Sequence, residues 1–435
     1  MSSPSVSPSR GSLLIIFLVV FIDLLGFGIV LPLLARYGEH FQASGATLGM
    51  LMASFSAMQF LFAPLWGKLS DRVGRRPILL VGLAASATFY AMFGYVTSRQ
   101  PDELLLGLTP LTWLFITRIG AGIAGATIPT AAAYIADSTD KKNRGKGMAL
   151  IGAAFGLGFT LGPLLAIGFA SNEKGAPPSP AAGYLASGLS AMAFLAAIVK
   201  LPESLRPGEG SSAGHRRWLH LASLQQALHN PIHRATLLGM FISVCSFAQL
   251  ESTLSLVTER LGLTERENFY VFAYLGFMML FFQGFIVRRM LPKFGEKTMA
   301  VGGGLLLAAG LAAIGISAGV VTESAAITGR EGLMRLFAVA PLSVAGFSAL
   351  NPALQSLLSL NTSADEQGEI LGVGQSLTAL ARIIGPVVGI PMLKQMGVQA
   401  PYWLATAMML VAVGFLVALK QQPHDDEAAT ATNEI

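Results

Sequence analysis

Apolar residues along this chain come in long unbroken runs, not in the alternating or three-to-four spaced patterns of water-soluble strands and helices. Twelve runs approach the ~20 residues that a helix needs to cross a hydrocarbon core. They lie at 13 to 35, 46 to 66, 77 to 97, 111 to 136, 147 to 170, 182 to 200, 235 to 258, 269 to 287, 298 to 319, 333 to 360, 369 to 392 and 401 to 419. Backbone groups left unpaired in lipid are costly, so each run is read as a membrane-spanning helix and the fold class as all-α. The polar tail 1–12 carries one arginine and leads straight into the first run without a small-residue cleavage signal, so that run is expected to be retained.

The polar positions between the runs orient them. Nineteen of the 29 Lys and Arg residues fall in the two tails, the stretch 200–234 and the turns 68–76, 141–146 and 288–297. By the positive-inside rule those segments, including both termini, are expected in the cytoplasm. The expected organisation is an N-terminal bundle at 13–200, a cytoplasmic linker at 201–234, a C-terminal bundle at 235–419 and a tail at 420–435. From Trp218 to Leu228 the linker has helical spacing of apolar residues, which suits a helix on the membrane surface or a solvated one. His215, His220, His229 and His233 fall in the linker at irregular spacing, a poor metal-ligand pattern.

The chain also repeats itself. Pro129, Gly145, Gly162 and Pro163 recur 223 residues later as Pro352, Gly368, Gly385 and Pro386, and Gly74 recurs 221 residues later as Gly295. Two pseudo-symmetric six-helix bundles with a cavity between them at mid-membrane follow from that repeat.

Composition agrees: 53% of residues are hydrophobic and 12% charged, against about 25% charged in soluble domains. The net charge of +5 sits in inter-helix turns, which removes the case for a nucleic-acid partner. The single cysteine, Cys245, lies within an apolar run, and there is no phosphate-binding glycine loop. An enzyme, an ATP-driven pump and a resident cofactor or metal are therefore not expected.

A charge inside a span costs at least about 2.5 kcal/mol on insertion scales, so the few present ask for a reason. Four stand out: Asp23, Arg118, Glu251 and Arg382. Asp23 lies near mid-depth, where a carboxyl can exchange a proton as its surroundings change; helix-to-helix glue or a permanent pair with Arg118 is the alternative. Arginine stays charged, so Arg118 suits cavity electrostatics or a fixed counter-ion. Glu251 and Arg382 either pair across the second half or face the cavity. Gln59, Asn351, Gln355 and Gln375 add neutral hydrogen-bonding positions, and Phe55, Phe89, Tyr90, Phe241, Phe247 and Trp403 are aromatics that either line a pocket or face packing and lipid.

The turn Gly67-Lys68-Leu69-Ser70-Asp71-Arg72-Val73-Gly74-Arg75-Arg76-Pro77 resembles the signature turn of the major facilitator superfamily. The resemblance implies a conformational latch, formed by Gly67, Asp71, Arg72, Gly74, Arg75 and Arg76, that holds the two halves closed on the cytoplasmic side. The second half has Pro292 where the repeat would place the aspartate, so the latch is expected to be asymmetric. The stretches Asp23 to Pro32, Gln59 to Pro64, Arg118 to Thr127, Ala136-Asp137 with Arg144, and Leu201 to Leu205 resemble the drug:proton antiporters of that superfamily, tetracycline-efflux type included. Gly152, Gly156, Gly158, Gly162 and Pro163 resemble their antiporter motif. The likeness is close from about residue 17 to 205.

What the resemblance implies is a proton-coupled exporter of a small amphiphilic, drug-like compound, working by alternating access as a monomer in the bacterial inner membrane. The proton gradient drives it, and its partners are the substrate, the proton and the bilayer. Uptake or facilitated diffusion of a small metabolite such as a sugar or organic acid is the alternative, with a non-transporting interaction protein a third. Typical tetracycline exporters of this type also carry acidic residues in the third and ninth spans and a histidine in the eighth. This chain has none of them, which argues against a metal-chelated tetracycline as substrate.

Overall fold

The computed structural model describes residues 10–139, 144–205, 229–323, 329–363 and 366–419. Most of the linker, with Trp218 to Leu228, His215 and His220, lies outside the described residues, as do residues 1–9 and 420–435.

Among the described residues, eleven continuous stretches are long and apolar enough to cross a membrane. One of them, Glu265–Gly319, has 55 residues. As a straight helix it would run about 80 Å against a core of about 30 Å. It folds back at Gly295, where φ is 75° and ψ 162°, and so provides two spans. The sequence repeat pairs this glycine with Gly74, where φ is 110° and ψ 156°. Both turns need a left-handed backbone that only glycine adopts cheaply. The chain is thus the expected twelve-span, all-α fold.

In the first half the spans are Arg10–His40, Gly45–Val73, Arg75–Thr97, Pro110–Ala124 continued by Ile128–Asp137, Arg144–Ala166 and Ala181–Lys200. In the second they are Pro231–Arg260, Glu265–Phe281 continued by a π-helical turn Phe282–Val287, the two parts of Arg288–Glu323 around Gly295, Gly329–Leu360, Gln367–Met396 and Ala400–Ala418. The ninth span begins after Gly295.

The fourth span breaks at Gly125–Thr127, just before Pro129, which can donate no backbone hydrogen bond. The second span covers the break: Gln59 Nε2 donates to the Gly125 carbonyl at 3.1 Å and Trp66 Nε1 to the Ile123 carbonyl at 2.7 Å. Irregular backbone at membrane depth is tolerated on that condition.

Glycines set how closely spans approach. A methyl on Gly162 would stand 2.9 Å from the Gly28 carbonyl carbon, and one on its repeat partner Gly385 would stand 2.8 Å from the Cys245 carbonyl oxygen. The fifth span therefore packs on the first as the eleventh packs on the seventh. Across the halves, Gly49 lies against Pro386 and Gly276 against Phe159, joining span two to eleven and five to eight.

Polar links between the halves gather at one end, which we call the Arg36 end. Pro32 O accepts Ser255 Oγ at 2.6 Å and Asn268 Nδ2 at 2.9 Å. Arg36 Nη2 donates to Thr258 Oγ1 at 3.2 Å and to Leu263 O at 3.1 Å. Glu265 accepts the Ser171 and Ser179 amides, and Lys394 Nζ meets Glu39 Oε1 at 2.9 Å. At the opposite, Arg75 end, no hydrogen bond or ion pair joins the halves among the described residues.

The signature turn consequently closes on its own half. Arg75 pairs with Asp71 and reaches Asp137 Oδ2 at 3.2 Å, while the Arg75 and Arg76 amides donate to Glu203 at 2.9 and 3.0 Å. Arg72 is exposed. Among the described residues, the bonds of this turn stay within the first half. The second-half turn differs, as Pro292 requires: Glu296 Oε1 accepts Ser356 Oγ at 3.1 Å, and Lys297 donates to the Leu419 carbonyl.

The Arg36 seal yields a prediction. Arg36 is 7% exposed and makes two charge-assisted inter-half bonds, each worth about 1.5–3 kcal/mol. Arg36→Ala should raise the population open at this end by about tenfold or more. Spin labels on the exposed Ser44 and Met396 check it: a longer-distance population should grow in the variant, and an unchanged distance distribution would refute it.

Candidate functional site

A cavity of about 350 Å³ lies between the halves, in the volume range of small-molecule sites. Spans one, two and five line it from one side and seven, eight, ten and eleven from the other. Each half supplies a carboxylate to the wall, Asp23 and Glu251, and the second half adds Arg382.

Asp23 sits where the first span faces both the cavity and the third span. Ser86 Oγ donates to Asp23 Oδ1 at 3.0 Å. The permanent Asp23–Arg118 pair is absent. Arg118 is 1% exposed and stands outside the lining, behind Phe55 and Phe27, with its guanidinium 4.6 and 5.8 Å from their ring centres. None of its three guanidinium nitrogens has a hydrogen-bond partner among the described residues. The aromatic rings hold the charge by their π faces and screen it from the cavity. Tyr90 is close enough to interact electrostatically with both Asp23 and Arg118.

Glu251 and Arg382 interact electrostatically across the second half without closing into a hydrogen-bonded pair among the described residues. Both stay available to a ligand. Asn351 and Gln355 line the wall together, with Gln355 Nε2 donating to Asn351 Oδ1 at 2.9 Å. Gln59 lines it too, although its amide nitrogen is engaged at the Gly125 break. Gln375 does not: it lies seven residues, two helical turns, from Arg382 towards the open end, beyond the lining.

The antiporter-motif glycines divide by role. Gly158 and Gly162 are pressed against the first-span backbone at Leu24 and Gly28, with Pro163 following on the cavity wall; Gly152 leaves space on that wall, while a methyl on Gly156 would stand 3.3 Å from Leu280 Cδ1. Of the aromatics singled out, Phe55 and Phe247 line the cavity; Phe89, Tyr90, Phe241 and Trp403 do not. Phe27 lies tilted against Phe55 and edge-on to Phe159, with ring centres 4.7 and 5.6 Å apart, and Phe247 stacks on Phe347 at 4.1 Å. His233, from the linker cluster, bonds Asn361 O and Thr362 Oγ1 at 2.9 and 3.2 Å.

The polar lining residues Ser56, Ser252, Gln283 and Ser348 escaped the sequence reading. Gln283 reaches the wall from the π-helical turn of the eighth span. Its signal was the face formed by Phe272, Leu275, Gly276, Met279 and Gln283 at three-to-four spacing, which carries no charge to attract notice. The site as a whole combines apolar rings, amide and hydroxyl groups, and two ionisable acids against one exposed arginine. It can enclose an amphiphile and exchange protons, and it has no nucleophile and base set for bond chemistry.

The family model of the Major Facilitator Superfamily matches residues 16–386. The chain is 31% identical to the tetracycline resistance protein, class B, of Escherichia coli, over 86% of each chain. It is 26% identical to multidrug resistance protein 2 of Bacillus subtilis (strain 168), over 98% of this chain and 99% of the relative. Among solved structures it resembles the human organic anion transporter MFSD10 (TETRAN), with a TM-score of 0.65, 28% identity and coverage of 95% of this chain and 100% of the other. Family, twelve spans and central cavity agree in describing an integral, multi-pass carrier of small molecules and not an enzyme. The chain belongs to the major facilitator superfamily.

Proposed function

We propose that this protein is a proton-coupled exporter of small amphiphilic, drug-like compounds in a bacterial inner membrane. It works as a monomer with both termini and the Arg75 end in the cytoplasm, and bundles 13–200 and 235–419 rock about the cavity. The carrying observation is the cavity between the halves, whose walls hold one acidic residue from each, Asp23 and Glu251. The names of the relatives, tetracycline and multidrug resistance proteins, support the same substrate class and direction.

In this reading substrate enters from the open end while Asp23 and Glu251 are ionised, and protons taken up from the other side displace it. Arg118 fixes the electrostatics behind the aromatic wall, Arg382 moderates Glu251, and Gln59, Asn351 and Gln355 offer hydrogen bonds to the ligand. The signature-turn residues clasp the halves when the Arg75 end shuts. Gly158, Gly162 and Pro163 let the fifth span slide and bend on the first.

Purified protein in liposomes, loaded with tetracycline or with ethidium as a cationic amphiphile, tests this. An imposed pH difference should drive at least one probe uphill, and collapsing the difference should stop it. Flux that is equal with and without the difference would replace export by facilitated diffusion.

A further inference from the structure

The connection 98–109 between the third and fourth spans contains a hairpin that displays leucine. Leu105 and Leu108 exchange both backbone hydrogen bonds: Leu105 N donates to Leu108 O at 2.9 Å, and Leu108 N to Leu105 O at 3.0 Å. The two residues between them, Leu106 and Gly107, have φ of 51° and 79°. A two-residue turn with both φ positive favours Asn-Gly or Gly-Gly, and a leucine in its first place is strained. That leucine is 91% exposed, and Leu104 and Leu108 beside it are 61% and 39% exposed. In water nothing offsets either the strain or the exposure. Strain kept at an exposed apolar tip points to a contact that the tip makes outside the chain.

The base of the hairpin is tied to the ends of the two spans. Trp113 Nε1, from the first turn of the fourth span, donates to the Leu105 carbonyl at 2.9 Å, and Leu105 itself packs inward against the main core. Tyr95, in the last turn of the third span, is exposed. The Arg99 guanidinium lies 4.3 Å from the centre of its ring and also meets Glu103 at 2.9 Å. Trp, Tyr and a long basic side chain laid along an aromatic are what a protein presents at the boundary between acyl chains and water. Leu104, Leu106 and Leu108 face out beside that belt. They continue the exposed apolar flank of the same spans, marked by Tyr95 on the third and Ile119 on the fourth. The charged residues of the connection, Arg99, Asp102 and Glu103, all precede the hairpin, so its tip carries no charge.

We propose that this leucine tip inserts into the bilayer leaflet at the Arg36 end, at the boundary of headgroups and acyl chains, and holds the third and fourth spans at a fixed depth there. Lipid is the occupant because the tip extends a surface that already faces lipid and lies beside interfacial aromatics. The paired backbone bonds and the Trp113 bond keep the turn in shape, so the leucines are presented without the ordering cost that a loose loop would meet on insertion. The anchor is independent of the substrate and of proton coupling.

The test is a spin label at Leu106→Cys in the purified full-length protein, reconstituted in phosphatidylcholine vesicles at high lipid excess. Cys245 is buried, so the label enters at the new cysteine, and the parent treated in the same way gives the blank. Oxygen concentrates among acyl chains while a polar nickel chelate stays in water. The oxygen-to-nickel collision ratio at Leu106→Cys should therefore exceed that at Glu173→Cys, in an exposed stretch at the same end, about threefold or more. It should approach the ratio at Val411→Cys, exposed in the twelfth span. Leu104→Cys, on the same tip, gives a second reading, and unchanged thermal unfolding shows that the variants are folded. A ratio at both leucine positions equal to that at Glu173→Cys would place the tip in water and overturn the anchor. Dipolar broadening that fades on mixing with unlabelled protein would assign the tip to a second copy of the chain and overturn it as well.

Discussion

Asp23→Asn is expected to abolish uphill transport while leaving downhill flux of the same probe. Asparagine keeps the shape of the side chain and an oxygen that accepts the Ser86 hydroxyl, a bond of 3.0 Å in the parent, so packing in the first span should be undisturbed. What it loses is ionisation. A permanently neutral side chain imitates the protonated carrier, which in an antiporter is the form that returns empty. The empty protein could then reorient without carrying a proton, and the antiporter would become a uniporter. The expected size is set by the driving force: a pH difference of one unit supplies about 1.4 kcal/mol per proton, enough for about a tenfold substrate ratio at one-to-one exchange. In liposomes holding that difference, the parent should approach such a ratio and the variant should settle at equal concentrations. A variant that still accumulates probe to the parent ratio would remove Asp23 from the mechanism.

The reason Asp23 was legible in the sequence is the cost of a lone carboxyl in lipid, and the same rule marked Glu251 and Arg382, both of which reach the cavity. The turn at Gly74 and its counterpart at Gly295 were legible because a left-handed backbone leaves a glycine signature in both repeats. Depth was not legible. Gln375 and Arg382 lie on one face of the eleventh span, yet two turns, about 10 Å, separate them, and the lining extends only to the second. Screening was not legible either: Arg118 is withheld from the cavity by Phe27 and Phe55, rings contributed by two other spans. The seal at the Arg36 end depends on Ser255, Asn268 and a proline carbonyl, residues of ordinary composition that acquire meaning only when the halves meet.

Close packing of the fifth span on the first should make Gly162 the least replaceable glycine of the antiporter motif. A methyl at Gly162 would meet the Gly28 carbonyl carbon at 2.9 Å and the Ile29 nitrogen and Leu25 oxygen at 3.0 Å each. All three are backbone atoms, so no side chain can rotate away and the two helices must part along their length. Gly28 faces the same limit from the other side, with the Gly158 carbonyl oxygen 2.7 Å from a methyl placed there. Overpacking of this kind costs about 1–3 kcal/mol in well-packed interiors, and an unyielding helix seam belongs at the upper end. Gly162→Ala should therefore lower the thermal unfolding temperature in detergent by several degrees, with Gly385→Ala, its repeat partner against Cys245 and Ala248, doing the same in the second half. Gly152→Ala supplies the contrast. A methyl there would meet nothing within 4 Å, so its unfolding temperature should match the parent. Equal losses at Gly152 and Gly162 would mean that helix propensity or bilayer fit, and not the seam with the first span, governs these glycines. A loss confined to Gly162 and Gly385 would tie the motif to the sliding contact on which reorientation of each half depends.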